Sequence, residues 1–553
     1  MIESAQSMWK SLWKSHYQTK RLLKFSQVNK AGEIAASTDK KGDSTASAAT
    51  GGPDGNEPKP AYTRAQLVGL ILGPLLFLMA MFFFNPADLA YEGRAVLAVT
   101  LWVATWWITE AIPIPATSLL PIVLLPIIGA MDNETVVSAY GNDIIFLFLG
   151  GFFIATAMEK WNLHKRIALF IINLIGVSTN RIILGFMLAT GFLSMWVSNT
   201  ASVMMMIPIG LAIVYQVTQA LKNEEGHESD LKKFEKAIIF GIGYAGTIGG
   251  LGTLIGTPPN SILAGTVNEL YGVQISFAGF MAFAAPLAVI MLFGTWVFLT
   301  KFVYKIQLKQ LPGGRELIHS EMKKLGQTAF EEKAVLAVFT FAAFMWVTRS
   351  FLWADLVPEL TDGMVAMTAT VLLFIIPASK KNESRILEWK DSKEIPWGIL
   401  LLFGGGLALA AGFSGTGLSE WIGEGLTVLE GANLLLIIFV SALLVLFLTE
   451  ITSNTATATM ILPVVAALSV ALDVHPYALM VPCALAANCA FMLPVGTPPN
   501  AIIFGTGKLT ILEMVKNGFW LNVVAVIIIT LAVMYLLPLM WGVDLTTIPT
   551  NFQ

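Results

Sequence analysis

The sequence is dominated by long apolar runs that alternate with short polar segments. A helix needs about 20 apolar residues to cross the hydrocarbon core of a bilayer. Suitable runs predict eleven transmembrane helices near 66–84, 94–111, 114–131, 143–158, 237–255, 278–300, 335–351, 363–378, 397–413, 477–495 and 518–539. Two further apolar regions, 167–220 and 432–471, each contain a polar Ser-Asn-Thr cluster in the middle. We predict that these two are re-entrant hairpins, which enter and leave the membrane on the same side.

Composition agrees with this pattern and excludes most soluble classes. Hydrophobic residues occupy 55% of the 553 positions and charged residues only 13%, about half of the roughly 25% that soluble domains carry. The net charge of −3 offers no basic surface for nucleic acid. The chain is therefore predicted to be an all-α polytopic membrane protein with no nucleic-acid partner.

Catalytic chemistry has little support in the sequence. All five histidines lie in polar segments between the apolar runs, and the two cysteines, Cys483 and Cys489, lie in one apolar stretch. The predicted spans contain no histidine and no paired carboxylates. Neither a nucleophile with its base nor a His-built metal site is expected there. We predict that the protein is not an enzyme.

Lysine and arginine residues set the predicted orientation, because cytoplasmic loops carry an excess of them. Basic segments occur at 1–65, 159–166, 221–236, 301–334, 379–395 and in the loop that holds Lys508 and Lys516. With eleven spans and two hairpins, all of these segments fall on one side, which we assign to the cytoplasm of a plasma-membrane protein. The N-terminal tail and flexible linker (1–65) are then cytoplasmic, and the C-terminus (541–553) is extracellular.

The chain also contains an internal repeat. The tetrapeptide Ser-Asn-Thr-Ala at 198–201 recurs 255 positions later at 453–456. The pentapeptide Gly-Thr-Pro-Pro-Asn at 256–260 recurs 240 positions later at 496–500, and the difference of 15 equals the length of a charged insert at 222–236. Each copy contains five predicted spans, and this odd number inverts the second copy in the membrane. Inverted repeats with irregular backbone at matched positions are typical of secondary transporters.

This repeat divides the chain into segments. After the tail come the first span with its loop (66–93), repeat 1 (94–300) with the hairpin 167–220, a cytoplasmic linker (301–334), repeat 2 (335–540) with the hairpin 432–471, and the extracellular C-terminus. Because each copy contributes a polar Ser-Asn-Thr cluster inside an apolar region, we predict that the two copies build one site near the middle of the membrane.

The Ser-Asn-Thr clusters carry the chemistry that we expect at this site. Where one hairpin helix ends and the next begins, side-chain donors and the free N–H groups of the new helix can hold a carboxylate. Carbonyls of the preceding helix end and side-chain oxygens suit a small hard cation. Ser194 lies four residues before Ser198, and Thr449 lies four residues before Ser453, so each copy places a hydroxyl one turn below the cluster.

The Gly-Thr-Pro-Pro-Asn motifs are expected to break their helices, because proline lacks an N–H and blocks helix continuation. The carbonyls freed at Gly256 and Gly496 are then available to a cation. Neither Ser-Asn-Thr cluster has a lysine or arginine nearby, and a charge at the bilayer centre costs roughly 2.5–3.5 kcal/mol on insertion scales. If the substrate is a dicarboxylate, two sodium ions would cancel its charge and couple its movement to the sodium gradient.

Four other charges lie in or next to the predicted spans. Glu450 follows Thr449 and therefore points to another helix face, where it is a candidate to bind a proton or a partner side chain. Glu110, Glu159 and Arg349 lie near predicted span ends. We expect these three at the membrane interface, with their charged ends reaching toward water.

The two pairs of motifs and the segment GGFFIATAMEKWNLHKRIAL at 150–169 resemble the divalent anion/sodium symporter family from about residue 66 to 540. Within that family the chain is similar to the bacterial sodium-dependent dicarboxylate transporters. The resemblance implies a homodimer in which each protomer has a scaffold domain and a transport domain that moves as an elevator. It also implies sodium-coupled import of C4-dicarboxylates such as succinate, fumarate and malate. The alternative on the same fold is a sodium-independent exchanger of di- or tricarboxylates, in which fixed cationic side chains replace the bound sodium.

The resemblance further implies a set of binding residues and about two sodium ions. The first sodium site would consist of Ser194, Ser198, Asn199 and Gly256. The second would consist of Thr449, Thr452, Asn454 and Gly496, with Thr452 contributing a backbone carbonyl. The substrate-binding residues would be Ser198, Asn199, Thr200, Thr257, Pro258, Ser453, Asn454, Thr455, Thr497 and Pro498.

Overall fold

The structure is a computed structural model that describes residues 62–86, 88–176, 178–221, 228–307, 314–353, 356–379, 384–426 and 432–552. The regular elements among these residues are all helices, and β-pairing is limited to isolated bridges such as that between Pro377 and Arg385. The prediction of an all-helical protein is therefore confirmed for the described part of the chain. The predicted tail and linker (1–65) lie outside it, except for residues 62–65.

Twelve α-helices form the first half of the described chain. They are α1 (Arg64–Phe82), α2 (Tyr91–Thr109), α3 (Ile114–Thr117), α4 (Leu120–Ile127), α5 (Asn133–Ala139), α6 (Asp143–Lys160), α7 (Leu163–Ile175), α8 (Thr179–Ser194), α9 (Asn199–Ala220), α10 (Glu228–Gly250), α11 (Pro258–Tyr271) and α12 (Phe277–Val297). Several begin at side chains that cap free N–H groups, as Asp132 does for α5 and Ser276 for α12.

Eleven further α-helices follow among the described residues. They are α13 (Gly314–Lys324), α14 (Phe330–Thr348), α15 (Asp362–Ile375), α16 (Trp397–Gly415), α17 (Leu418–Leu426), α18 (Leu434–Thr449), α19 (Asn454–Ala471), α20 (Tyr477–Asn488), α21 (Pro498–Gly505), α22 (Ile511–Leu531) and α23 (Leu537–Trp541). Short π- or 3-10-helical segments are Phe298–Val303, Arg349–Trp353, Trp389–Glu394, Ala532–Leu536 and Thr550–Phe552. The helices α6 to α12 recur in the same order as α16 to α22, as the duplicated motifs predict.

Eight helices in the described chain are long and apolar enough to cross a membrane. They are Arg64–Phe82, Asn133–Lys160, Asn199–Ala220, Phe277–Val303, Phe330–Trp353, Trp397–Gly415, Asn454–Ala471 and Ile511–Trp541. Four apolar helices are shorter, namely Ile114–Ile127, Asp362–Ile375, Leu434–Thr449 and Tyr477–Asn488. The multi-pass membrane character is thus evident, while the count of eleven crossings stays a prediction.

Two predicted spans are too long because each contains a real interruption. The helix predicted at 237–255 ends at Gly250, and the one predicted at 477–495 ends at Asn488. In each copy the two prolines of the Gly-Thr-Pro-Pro-Asn motif occupy the first positions of a new helix, α11 or α21. Proline is well suited to a helix start, where its missing N–H has no partner in any case. The motif therefore starts a helix rather than kinking one.

Three other boundaries also differ from the prediction. The region 167–220 includes the end of a separate amphipathic helix, α7, which stops at Gly176 with a φ of +102° that favours glycine. The hairpin itself consists of α8 and α9. The charged insert at 222–236 is not wholly a loop, because its residues from 228 onward form the first turns of α10. The span predicted at 114–131 is two short helices, α3 and α4.

The prediction that the charged end of Arg349 reaches toward water is wrong. Its guanidinium does not reach toward the interface but pairs with Asp362, with Nε 2.7 Å from Oδ1 and both side chains largely buried. The second carboxylate oxygen of Asp362 accepts a hydrogen bond from the backbone N–H of Phe277 at 2.9 Å. The charge is therefore satisfied inside the protein, where it ties the end of α14 to the starts of α15 and α12.

Each hairpin packs against the broken helix of its own copy. In repeat 1, α8 packs on α10, and in repeat 2, α18 packs on α20. The first contact is so close that a Cβ at Gly249 would lie 2.2 Å from the carbonyl oxygen of Gly191. Glycine is required there because the two backbones touch. This packing brings each Ser-Asn-Thr cluster next to the interruption in its partner helix.

Candidate functional site

Each hairpin changes direction at its Ser-Asn-Thr cluster. We call residues 195–198 the first tip and residues 450–453 the second tip. Helix α9 begins at Asn199, directly after the first tip, and the hydroxyl of Ser198 caps it by accepting from the N–H of Ala201 at 3.2 Å. Helix α19 begins at Asn454, directly after the second tip. Both helix starts therefore present free N–H groups and a positive dipole end at the same place as a side-chain amide.

A buried hydroxyl lies behind the first tip. The Oγ of Ser194, a fully buried residue, lies 2.5 Å from Asn199 Oδ1 and 2.6 Å from the carbonyl oxygen of Gly246. A hydroxyl has one proton, so only one of these two acceptors can receive it. The cluster therefore holds three oxygens with one hydrogen-bonding proton among them. Such a group favours a cation that the oxygens can share.

The second tip repeats this arrangement. Thr449, also fully buried, places its Oγ1 2.7 Å from Asn454 Oδ1 and 2.8 Å from the carbonyl oxygen of Ala487. In both copies the asparagine oxygen faces the buried hydroxyl, which leaves the Nδ2 end of the amide free to donate elsewhere. Thr452 is bonded locally, since its hydroxyl lies 2.8 Å from the carbonyl oxygen of Leu448.

The interruptions between broken helices are held by the asparagine that ends each Gly-Thr-Pro-Pro-Asn motif. We call residues 251–257 the first break and residues 489–497 the second break. Asn260 Nδ2 donates to the carbonyls of Gly250 at 3.1 Å and Thr253 at 2.8 Å. Asn500 Nδ2 donates at the matched positions, to Ala490 at 2.9 Å and Leu493 at 3.0 Å. These bonds satisfy carbonyls that the helix ends would otherwise leave unpaired in the protein interior.

The two copies are also joined directly. Asn488, at the end of α20, accepts from the hydroxyl of Thr257 at 2.6 Å and donates to Asn260 Oδ1 at 3.2 Å. The position 240 residues earlier is Ile248, which has no such groups. In keeping with this difference, the buried Oδ1 of Asn500 has no hydrogen-bond partner among the described residues. Only one of the two matched positions therefore carries a side chain that joins the repeats by hydrogen bonds.

Both tips and both breaks open onto one cavity of 810 Å³. The lining includes every residue predicted to bind substrate, namely Ser198, Asn199, Thr200, Thr257, Pro258, Ser453, Asn454, Thr455, Thr497 and Pro498. The residues predicted for sodium that also line it are Ser198, Asn199, Gly256, Thr452, Asn454 and Gly496. Ser194 and Thr449 do not line the cavity but lie one layer behind it, bonded to the two asparagines. The structure brings the predicted residues together, and their roles stay predictions.

The rest of the lining determines the electrostatics of the cavity. Its charged residues among those described are three glutamates, Glu110, Glu159 and Glu394, and it includes no lysine or arginine. Glu110 directly follows α2 and Glu159 is the penultimate residue of α6, and both border this cavity. Aromatic side chains also line the cavity. They are Trp107, whose indole N–H donates to Ser118 Oγ at 3.1 Å, and Phe148 and Phe152 of α6.

Four residues of this region were missed or left without a role by sequence reasoning. Asn260 and Asn500 were visible as the last residues of a duplicated motif, and their position after a double proline was the available signal. Asn488 gave no signal, because the repeat does not duplicate it. Glu450 was noted as an intramembrane charge, and its partners are described below.

Comparison with known proteins places this geometry in a family. The family profile described as the sodium:sulfate symporter transmembrane region matches residues 64–542. The chain is 56% identical over 490 residues to the sodium-dependent dicarboxylate transporter SdcS of Staphylococcus saprophyticus, covering 88% of this chain and 94% of the relative. The identity to SdcS of Staphylococcus aureus is also 56%, over 491 residues and with the same coverage.

Among solved structures, the crystal structure of the Alcanivorax borkumensis YdaH transporter matches with a TM-score of 0.50. The alignment covers 87% of this chain and 98% of that one at 10% identity, so it supports the fold alone. The family match spans most of the chain and includes both tips and both breaks. The chain therefore belongs to the sodium:sulfate symporter family, the divalent anion/sodium symporters.

Proposed function

We propose that the protein is a sodium-coupled symporter that imports C4-dicarboxylates such as succinate, fumarate and malate. The observation that carries the proposal is the pairing, in one cavity, of two helix starts with two oxygen clusters and no fixed cation among the described lining residues. The proposal also has the support of the relatives named above, which are called sodium-dependent dicarboxylate transporters and are 56% identical.

The anion would be held by the two helix starts. Each provides backbone N–H groups, the Nδ2 of an asparagine and a threonine hydroxyl, from Asn199 and Thr200 in one copy and Asn454 and Thr455 in the other. Helix N-termini bind carboxylates through these groups and through the helix dipole. Two separate donor sets match a substrate with a carboxylate at each end. The cavity volume lies in the range of small-molecule sites, roughly 300–1,000 Å³.

Sodium would supply the positive charge that the protein lacks there. We infer two sodium sites, one built around Ser194 and Asn199 with Gly256, and the other around Thr449 and Asn454 with Gly496. Their ligands are hydroxyl, amide and carbonyl oxygens, which suit a hard monovalent cation and carry no net charge. A dianion that entered without cations would bring two uncompensated charges into the membrane at a cost of several kcal/mol. Substrate and sodium binding are thereby coupled.

The same argument weighs against a sodium-independent exchanger. Such a protein needs a permanent cation near the substrate, and the described cavity lining contains only carboxylates as charged groups. The carboxylates near the cavity would instead favour the entry of sodium and disfavour an unaccompanied dianion.

We further infer the large-scale arrangement. The protein would lie in the plasma membrane as a homodimer with eleven spans and two hairpins, a cytoplasmic N-terminus and an extracellular C-terminus. The hairpins and broken helices would form a transport domain that slides past a scaffold as an elevator. The recurrence of α6 to α12 as α16 to α22 around one shared cavity supports the two-repeat part of this arrangement.

Uptake by purified protein in liposomes tests the function. We expect uptake of labelled succinate when sodium is outside, and a fall to the background of empty liposomes when choline replaces sodium. Unlabelled fumarate and malate should compete, whereas propionate, with one carboxylate, should not. Undiminished uptake in choline would remove the symport claim, and equal competition by propionate would remove the two-ended anion site.

A further inference from the structure

Glu450 is a buried carboxylate that forms the first residue of the second tip. Only 3% of its surface is exposed. Its Oε1 accepts from the backbone N–H groups of Phe491 at 2.8 Å and Met492 at 2.9 Å and from Asn522 Nδ2 at 2.7 Å. Its Oε2 accepts from the N–H of Leu493 at 3.0 Å. All of these partners are donors, which matches an ionised carboxylate, a group that only accepts.

These bonds fix the geometry of the second break. Glu450 holds three successive N–H groups of the segment, while Asn500 holds the carbonyl of Leu493 from the other side. The same carboxylate reaches Gly496, where an added Cβ would lie 3.1 Å from Glu450 Oε2. The oxygen with the fewer hydrogen bonds therefore abuts the residue that we assign to the second sodium site.

The matched position of repeat 1 carries no charge. The residue 255 positions before Glu450 is Met195, an uncharged side chain. The turn of the first break is held by backbone bonds, such as the N–H of Gly252 to the carbonyl of Gly249 at 2.9 Å, and by the Thr253 hydroxyl on the Met195 carbonyl at 2.5 Å. The two oxygen clusters are thus alike in their neutral ligands and differ in one fixed negative charge.

We propose that Glu450 is a positioning residue that makes the two cation sites unequal, so that the site of repeat 2 binds sodium more tightly than that of repeat 1. The inference rests on the proposed function and deepens it. The carboxylate acts through the second break, whose backbone it orders, and through its charge, which attracts a cation next to Gly496. In a partly buried setting, one charge at a few ångströms changes cation affinity on the order of tenfold or more.

The test measures sodium binding without substrate. Purified protein is titrated with sodium chloride against choline chloride at constant ionic strength, and the melting temperature is recorded. For Glu450→Gln, which keeps an acceptor for the N–H groups and removes the charge, we expect the sodium concentration for half-maximal stabilisation to rise about tenfold or more. Met195→Leu, at the matched position of repeat 1, should leave that concentration unchanged.

A second measurement does not depend on whether the Glu450 variant folds. In the otherwise unchanged protein, Thr449→Val should remove the tighter phase of the sodium titration, and Ser194→Ala should remove the weaker phase. The reverse assignment, or a Glu450→Gln curve that overlays the parent curve, overturns the inference while leaving sodium coupling intact. If the parent protein shows no sodium-dependent stabilisation and no sodium-dependent uptake, the proposed function fails and this inference fails with it.

Discussion

The buried hydroxyl of Thr449 offers a direct test of the proposed second sodium site. Valine has the same shape as threonine, so Thr449→Val creates no cavity and removes only the hydroxyl. In the structure that oxygen lies 2.7 Å from Asn454 Oδ1 and 2.8 Å from the carbonyl oxygen of Ala487. The substitution therefore takes one oxygen out of the cluster and places a methyl group against two carbonyl oxygens.

The size of the effect follows from this geometry. Loss of one polar partner in a fully buried site typically costs about 1–3 kcal/mol. Part of that cost falls on the sodium-free state as well, because the same oxygens lose a donor there. If 1–2 kcal/mol falls on the sodium-bound state alone, the sodium concentration for half-maximal uptake rises roughly 5- to 30-fold. The maximal rate at saturating sodium should change much less, because the groups proposed to hold substrate remain.

Initial rates of succinate uptake in liposomes, measured over a range of sodium concentrations, give this value. Thr370→Val is the matched control, because that buried hydroxyl donates at 2.9 Å to Ala366 within its own helix and lies outside the proposed site. We expect the control to follow the parent curve. An unchanged sodium dependence in Thr449→Val would refute the assignment of this oxygen to a cation.

Three further predictions follow from particular contacts. Asn199→Ala and Asn454→Ala should each abolish succinate uptake and keep the parent elution profile in size-exclusion chromatography, since both residues line the cavity; near-normal uptake in both would show that the two asparagines do not bind substrate. Gly249→Ala should sharply reduce the yield of folded protein, because its Cβ meets backbone at 2.2 Å, whereas Gly294→Ala, with open space around it, should not; equal yields would contradict the close packing. Burial lowers the pKa of His475 to about 4 in the folded protein, compared with about 6.5 in the unfolded chain. Below pH 6.5 the unfolded chain therefore binds a proton that the folded protein does not. The free energy of unfolding is highest above pH 6.5 and declines toward pH 4. The free energy of unfolding should therefore fall by roughly 1 kcal/mol from pH 7 to pH 5, which a lower melting temperature at pH 5 would show. The fall should be smaller in His475→Asn.

The repeat made the core of the fold predictable from the sequence. Two motifs with fixed spacing located the hairpins, and the order of helices in the described chain follows that duplication. Span ends were less predictable, because hydropathy averages over a window and does not register where a backbone turns. The helix predicted to 255 ends at Gly250, and a hydropathy profile gives no sign of termination at the glycines there. The pairing of Arg349 was not predicted, because its partner, Asp362, is 13 positions away.

The candidate site was predictable to the extent that it is duplicated. Asparagine, serine and threonine in the middle of apolar runs mark a functional position, because burying them unpaired is costly. The contacts of Asn488 could not be predicted from the sequence, because the other repeat has no matching asparagine. Its hydrogen-bond partner, Asn260, is 228 positions away. Such pairing depends on how α11 and α20 meet. Nothing in the local sequence of either helix encodes that meeting.

Charge gives a physical reason for the absence of lysine and arginine in the described lining of the cavity. With fixed cations in place of sodium, the empty site and the site that holds the dianion would differ by two charges, and moving one net charge through the membrane centre costs roughly 2.5–3.5 kcal/mol. With mobile sodium ions, the empty site and the site loaded with two sodium ions and a dianion have the same net charge. A site that holds only the dianion, or only the two sodium ions, differs from both by two charges. In the proposed mechanism, these partly loaded states cross the membrane far more slowly than the other two. Tight coupling then requires no separate gate between the sites, because the electrostatic penalty already slows the partly loaded states relative to the empty and fully loaded states.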